Sequence, residues 1–254
     1  MSEAATSLPA SRVIALPGAH NLRDLGGYAA EGGRTTRWRR LWRADSPHRL
    51  APAAQAALVG QGLGTVIDLR TAAEVAALPN PFAGHARVAY VHQPVFDALA
   101  PGALLAHPAA SDNPLLPFYR SALDDRHAAV GAILSTIASA PPGAVMFHCT
   151  VGKDRTGIVA ALLLGLAGVA PEDIVADYTL TEALTADLVE DLIAAARNLD
   201  AAAYRRLLGA PASVMRATLD HLTGRYGSVA GYLDAIGLPP GDRAALQDRL
   251  LGPA

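Results

Sequence analysis

The feature that most restricts what this chain can fold into is a break between two apolar runs. Ala144-Val145-Met146-Phe147 has the makings of a buried strand, expected over 144–149, and Ile158 to Ala170 is an apolar run of 13 residues that includes two glycines. Between them stands "HCTVGKDRTG", His148 to Gly157. It holds the only cysteine, Cys149, and the only lysine, Lys153, among 21 lysine and arginine residues. A membrane-spanning helix needs roughly 20 apolar residues, so the second run reads as a core helix. A strand, a short polar loop and a buried helix in that order belong to an α/β architecture. The loop then lies beyond the carboxyl end of a strand, where such sheets bind ligands.

The flanking sequence extends this pattern. "TVIDLR" (65–70) and "RVAYVHQPV" (87–95) are strand candidates. "TAAEVAAL" starts a helix at a threonine cap with a glutamate three residues on, and "PAAQAALVGQG" (52–62) is a short helix. Residues 27–30 and 35–43 read as a hairpin turning through Glu31-Gly32-Gly33. The proline-rich stretch 96–122 reads as a long loop or broken helices. Further helices are expected at 124–139, 156–168, 172–178, 181–198, 200–208, 212–226, 228–236 and 242–251. The fold class is therefore α/β, a mainly parallel central sheet flanked by helices, with a helix-rich C-terminal third. No repeat or low-complexity linker divides the 254 residues. One domain is expected over 1–254: an N-terminal turn and hairpin (12–50), an α/β core (63–170) with the loop 148–157, and a helical cover (171–254). The stripe Leu184, Leu188, Leu192 and Ala195 suits either core packing or a lid.

A formal net charge of −2 gives no general pull toward nucleic acid or an anionic membrane. The stretch "RTTRWRRLWR" (34–43) interleaves tryptophan with arginine, but long arginine stems lying over apolar surface explain it more plainly than nucleic-acid binding. At strand period Trp38, Arg40 and Trp42 would share one face, and Arg37, Arg39, Leu41 and Arg43 the other. One cysteine and eight scattered histidines offer neither a disulfide framework nor a metal-ligand spacing. The N-terminus lacks the basic and apolar regions of a signal peptide. A cytoplasmic protein is expected, with signal-independent secretion left open; the oligomeric state is not legible.

The loop's chemistry follows from its residue types. A loop entering a helix N-terminus presents backbone N–H groups without partners, and the helix dipole favours an anion there. Gly152 permits the positive φ that such a nest needs. A thiol at this point ionises readily next to cations. Arg155, six residues after Cys149, can curl back and grip two phosphate oxygens with its planar fork. Thr156 can offer its hydroxyl to the departing thiolate. His148 is expected to orient the loop through backbone hydrogen bonds.

Cys-x5-Arg with His directly before and Thr directly after resembles the active-site signature of the cysteine-dependent protein tyrosine phosphatases. The fuller "GKDRTG" is similar to a bacterial branch of that family. "NLRDLGGY" (21–28), "LWRADS" (41–46), "IDLR" (67–70) and "YGSVAGYLDAIGL" (226–238) match it in order along the chain. Val151 departs from the small alanine of that pattern. The resemblance implies a phosphate-monoester hydrolase with Cys149 as nucleophile and no metal or cofactor. Arg155 and the loop from Thr150, Val151, Gly152 and Lys153 to Thr156 would bind phosphate. The substrate would be a phosphorylated protein, on tyrosine or on serine and threonine, or a phosphoinositide, since a lysine at position 153 goes with additional phosphates. It also implies that Asp154, inside the loop, is the general acid; Asp68, at the end of the "TVIDLR" strand, competes for that role. Arg23 and Asp24 either fix a tail onto the body or line the site, and Arg43 is a candidate internal ion-pair partner. Two other classes remain: a silent phosphate-binding module, against which the intact Cys-Asp-Arg set counts, and a thiol redox protein, which lacks a resolving cysteine.

Overall fold

A computed structural model describes residues 11–96 and 115–252. Its strands are β1 (Arg23–Asp24), β2 (Leu41–Ala44), β3 (Leu63–Asp68), β4 (Ala89–His92) and β5 (Ala144–His148). They form one sheet in the order β1-β2-β5-β3-β4, in which only β1 runs antiparallel to its neighbour. The expected α/β class with a mainly parallel sheet is what is found. Register fixes the site. His148 pairs with Ala44 on one side and Asp68 on the other, so β2, β5 and β3 end at one level and their following segments emerge together.

Side chains alternate across β5 as strand geometry requires. Val145 and Phe147 join the larger core with Leu41 and Ile67, while Ala144 and Met146 join a second cluster with Trp42, Val66, Leu58 and Phe82. Both faces are covered, which is why the strand reads as a continuous apolar run. Helix α1 (Pro52–Gly60) closes the smaller cluster. The larger one takes α3 (Leu116–Asp124), α4 (His127–Ser139) and α5 (Asp154–Leu166), the helix that leaves the loop; α2 (Ala72–Ala77) precedes them in the chain. Residues Arg155 to Leu164 of α5 are all buried, as expected of a helix apolar on every side. Each aliphatic side chain so buried is worth about 1.5–3 kcal/mol. Beyond it run α6 (Pro171–Leu184), α7 (Ala186–Ala195), α8 (Ala201–Leu208), α9 (Ala212–Tyr226), α10 (Val229–Ala235) and α11 (Pro240–Leu251). No helix among the described residues is long and apolar enough to cross a membrane.

Several expectations need correction. The hairpin over 27–43 is shorter than expected. Residues 27–30 pair with 34–36 around a 3-10 turn at Glu31–Gly33, but the second arm does not run on to 43, and β2 starts only at Leu41. Asp24 accounts for the break: its carboxylate accepts from the backbone N–H of Gly26 and Arg39 and from Trp42 Nε1, pinning a turn in which Arg39 takes φ 59°. Gly27, at φ 79°, lies so close to the Trp38 ring that a Cβ would meet it at 2.3 Å. Trp38 stays partly exposed while Trp42 is buried, so the two do not share one strand face. Helix α5 begins at Asp154, not Thr156, which places Asp154 and Arg155 in its first turn. The helix expected at 181–198 is divided at Thr185, so Leu184 belongs to α6 while Leu188, Leu192 and Ala195 belong to α7. Of the stretch 96–122, expected as a long loop or broken helices, residues 116–122 are helical in α3, in keeping with the second reading, and 97–114 lie outside the described residues.

Candidate active site

The loop between β5 and α5 is shaped by what holds its carbonyl groups. His148 Nδ1 donates to the Cys149 carbonyl (3.0 Å), and the backbone N–H of Ser46 donates to that of Thr150 (3.0 Å). Asn21 Nδ2 donates to the carbonyls of Val151 (2.9 Å) and Gly152 (3.1 Å), and Arg43 Nη2 also reaches Gly152 O (2.7 Å). With the carbonyls tied outward, the N–H groups of residues 150–155 are left over. None of them donates to another described group. Gly152 makes this path feasible. Its φ is +74°, and a Cβ there would sit 2.3 Å from Ala44 O.

The anchors beneath the loop form one buried network. Asp177 on α6 accepts from Arg23 Nε (2.9 Å), Arg43 Nη1 (2.5 Å) and Tyr28 Oη (3.0 Å). Burial alone would raise its pKa, but the two guanidinium groups hold it well below the usual carboxylate range. Arg23 and Arg43 therefore lie under the loop, and Asp24 lies at the turn described above. Asp68 is likewise fully committed. It accepts from Arg70 Nε (2.9 Å) and Nη2 (2.7 Å), Asn80 Nδ2 (3.1 Å) and Tyr90 Oη (3.2 Å), and against the pull of burial Arg70 and His148 keep it strongly acidic. His148 is buried, and burial drives its pKa down to about 4. Its Nε2 therefore accepts from Asn80 Nδ2 (2.8 Å) while Nδ1 keeps the proton it gives to Cys149 O.

Above the loop is a pocket lined by Cys149, Thr150, Val151, Asp154 and Arg155, by Glu74, and by an apolar wall from α3, α7 and α8 with Leu115 just before α3. Cys149 is buried at its base. Arg155 is aimed by Glu74: Nη1 donates to Oε2 (2.7 Å) and Nη2 to Oε1 (2.8 Å). Burial works against the charge on Arg155, yet Glu74 and then Cys149 raise its pKa above the ordinary value. The same pair holds Glu74 down to about 2, against its own desolvation. Thr150 Oγ1 also donates to Glu74. Glu74 is thus a site residue that sequence reasoning reads only as part of a helix cap. That cap is present too, with Thr71 and Glu74 satisfying each other's backbone; the signal for the second role is the same glutamate's position next to the carboxyl end of β3.

Lys153 requires a further correction. Its side chain is buried behind the pocket lining, with Nζ donating to the carbonyls of Leu207 (2.5 Å) and Gly209 (2.9 Å) at the end of α8 and lying 3.3 Å from Asp154 Oδ1. Thr156 Oγ1 is buried without a hydrogen-bond partner among the described residues.

A thiol, an arginine aimed by Glu74 and a loop of unpaired N–H groups thus meet at one pocket. The model of the tyrosine phosphatase family matches residues 14–252. This chain belongs to the tyrosine phosphatase family. A Cupriavidus necator protein assigned to the tyrosine-protein phosphatases is 33% identical over 242 residues, covering 92% of this chain and 87% of that one. A tyrosine-protein phosphatase of Nostoc commune is 32% identical over 213 residues, covering 80% and 71%. Crystal structures of TpbA from P. aeruginosa align with 66% of the chain at 22% identity and a TM-score of 0.35. The family match and the Cupriavidus necator relative make the chain a bacterial-type phosphatase, a hydrolase of phosphate monoesters.

Proposed function

We propose that this phosphatase hydrolyses phosphotyrosine through a cysteinyl-phosphate, with Cys149 as nucleophile and Asp154 as general acid. The observation that carries the reading is the loop itself, whose carbonyls are bound outward and whose N–H groups at 150–155 are unpaired beside Cys149. These groups and the Nε edge of Arg155, which the pairing of both Nη atoms with Glu74 leaves open, can hold the three equatorial oxygens of a phosphoryl group. In such transfers fixed donors do most of the catalytic work. The thiolate attacks phosphorus as the P–O bond to the leaving phenol breaks, and Asp154 gives that oxygen its proton. Water then attacks the cysteinyl-phosphate, Asp154 takes a proton from it, and the thiolate leaves toward the unpartnered Thr156 hydroxyl. Asp154 is favoured over Asp68 because it lines the pocket, whereas Asp68 is fully buried with its carboxylate bound to Arg70, Asn80 and Tyr90.

The wall favours an aryl phosphate. Leu115, Phe118, Leu192, Tyr204, Leu207 and Leu208 suit a ring, and Lys153, the cation expected to reach further phosphates, is spent on backbone carbonyls. Comparing kcat/KM for a phosphotyrosyl peptide with that for polyphosphorylated inositols tests this directly. A clear preference for the peptide is expected; a preference for the inositols would overturn the assignment.

A further inference from the structure

Asp154 is not held by the loop alone. Tyr119, fully buried on α3, has its hydroxyl 2.9 Å from Asp154 Oδ1, and the same hydroxyl is 2.9 Å from that of Tyr178, fully buried on α6. The rings meet edge to face, 86° apart. Each hydroxyl has one proton to give. A carboxylate only accepts, so the Tyr119 proton goes to Oδ1, and the contact between the tyrosines must then be filled by the proton of Tyr178. Donation runs one way, Tyr178 to Tyr119 to Oδ1. Burial first, and the charge of Asp154 second, raise the pKa values of both tyrosines, which keeps them protonated as donors. Lys153 Nζ approaches the same oxygen at 3.3 Å. Oδ2 has no partner among the described residues.

We propose that Tyr119 is a positioning residue for the acid step, and that Tyr178 sets the direction of its hydroxyl. With Oδ1 surrounded by donors, the proton of the acid form resides on Oδ2, on a carboxyl group that lines the pocket and whose rotation is fixed. The proposal rests on the reading of Asp154 as the acid. It also assigns a task to two buried hydroxyls that the loop's own anchoring does not use: Asp177 braces the loop from below, and Tyr178, the next residue on α6, braces the acid from the side.

Leaving-group dependence separates this role from mere packing. The phenol of tyrosine leaves with a pKa of about 10 and needs the acid, whereas a dinitrophenolate leaves without it. We would measure kcat/KM for phosphotyrosine and dinitrophenyl phosphate with the native enzyme, Tyr119→Phe, Tyr178→Phe, Asp154→Asn and the Tyr119→Phe/Asp154→Asn double variant. Tyr119→Phe, which keeps the ring, should lose roughly tenfold on phosphotyrosine and little on the dinitrophenyl ester. Tyr178→Phe should lose less in the same pattern, and the double variant should be no worse than Asp154→Asn. Equal loss on both substrates, or losses that add in full in the double variant, would overturn the proposal. If Asp154→Asn shows the leaving-group dependence and Tyr119→Phe does not, the positioning role alone fails. If Asp154→Asn is itself indifferent to the leaving group, the acid reading fails and the proposal with it.

Discussion

Arg155 owes its direction to Glu74. Two parallel hydrogen bonds of 2.7 and 2.8 Å fix the guanidinium plane over the pocket, and the carboxylate is in turn fixed by the Thr71 backbone (2.8 Å). Glu74→Gln turns one acceptor into a donor facing another donor. A charged hydrogen bond is worth about 1.5–3 kcal/mol, so kcat/KM should fall roughly tenfold or more; unchanged steady-state kinetics would show that the fork aims itself. Arg155→Lys removes the fork altogether, and a loss of roughly 10²–10³-fold is expected by the same assay, the range seen when one transition-state donor is removed. At this scale the sequence is legible where roles are local. Cys149, Arg155 and the Thr71 cap follow from neighbours a few residues away. Glu74 on Arg155, Lys153 on the end of α8 and Asn21 on the loop carbonyls all join residues more than fifty positions apart, and no local pattern encodes such pairs.

The element that matters most is the passage from β5 through the loop into α5. Its conformation depends on Gly152, where an added methyl group would collide with Ala44 O and adopt a disfavoured positive φ. Gly152→Ala should retain the far-ultraviolet circular dichroism of the fold yet lose binding of vanadate, a phosphoryl mimic. Full vanadate affinity in that variant would contradict the account of the nest. The strand, the glycine and the apolar helix were readable because burial and periodicity speak for themselves. Helix α5 starts two residues before its apolar pattern does, because its first turn holds the polar Asp154 and Arg155. The hairpin stops short for a different reason: Asp24, which pairs with Trp42 in the sheet, also captures the backbone N–H of Arg39 and turns the chain there.

At the scale of the whole molecule, the equal ends of β2, β5 and β3 bring four buried ionisable groups, Arg43, Asp68, His148 and Arg155, to one end of the sheet. This dictates how stability responds to acid. The folded state depresses the pKa of His148 to about 4, from about 6.5 when unfolded. The unfolded chain therefore takes up a proton that the folded chain refuses. The stabilisation is present above about pH 6.5 and is lost as pH falls toward 4, by on the order of 3 kcal/mol. Glu74, depressed to about 2, acts in the same sense but only below about 4.5. Urea unfolding should show native stability declining from pH 7 to 5 and a flatter decline in His148→Asn; parallel curves would refute a buried neutral histidine.

Whether Cys149 carries the phosphoryl group is decided by phosphate release from a phosphotyrosyl peptide, with chelator present, by the native enzyme and by Cys149→Ser. Turnover by the native enzyme and none by the serine variant, which still binds the peptide, is the predicted result; turnover retained by Cys149→Ser, or absent from the native enzyme, would contradict it.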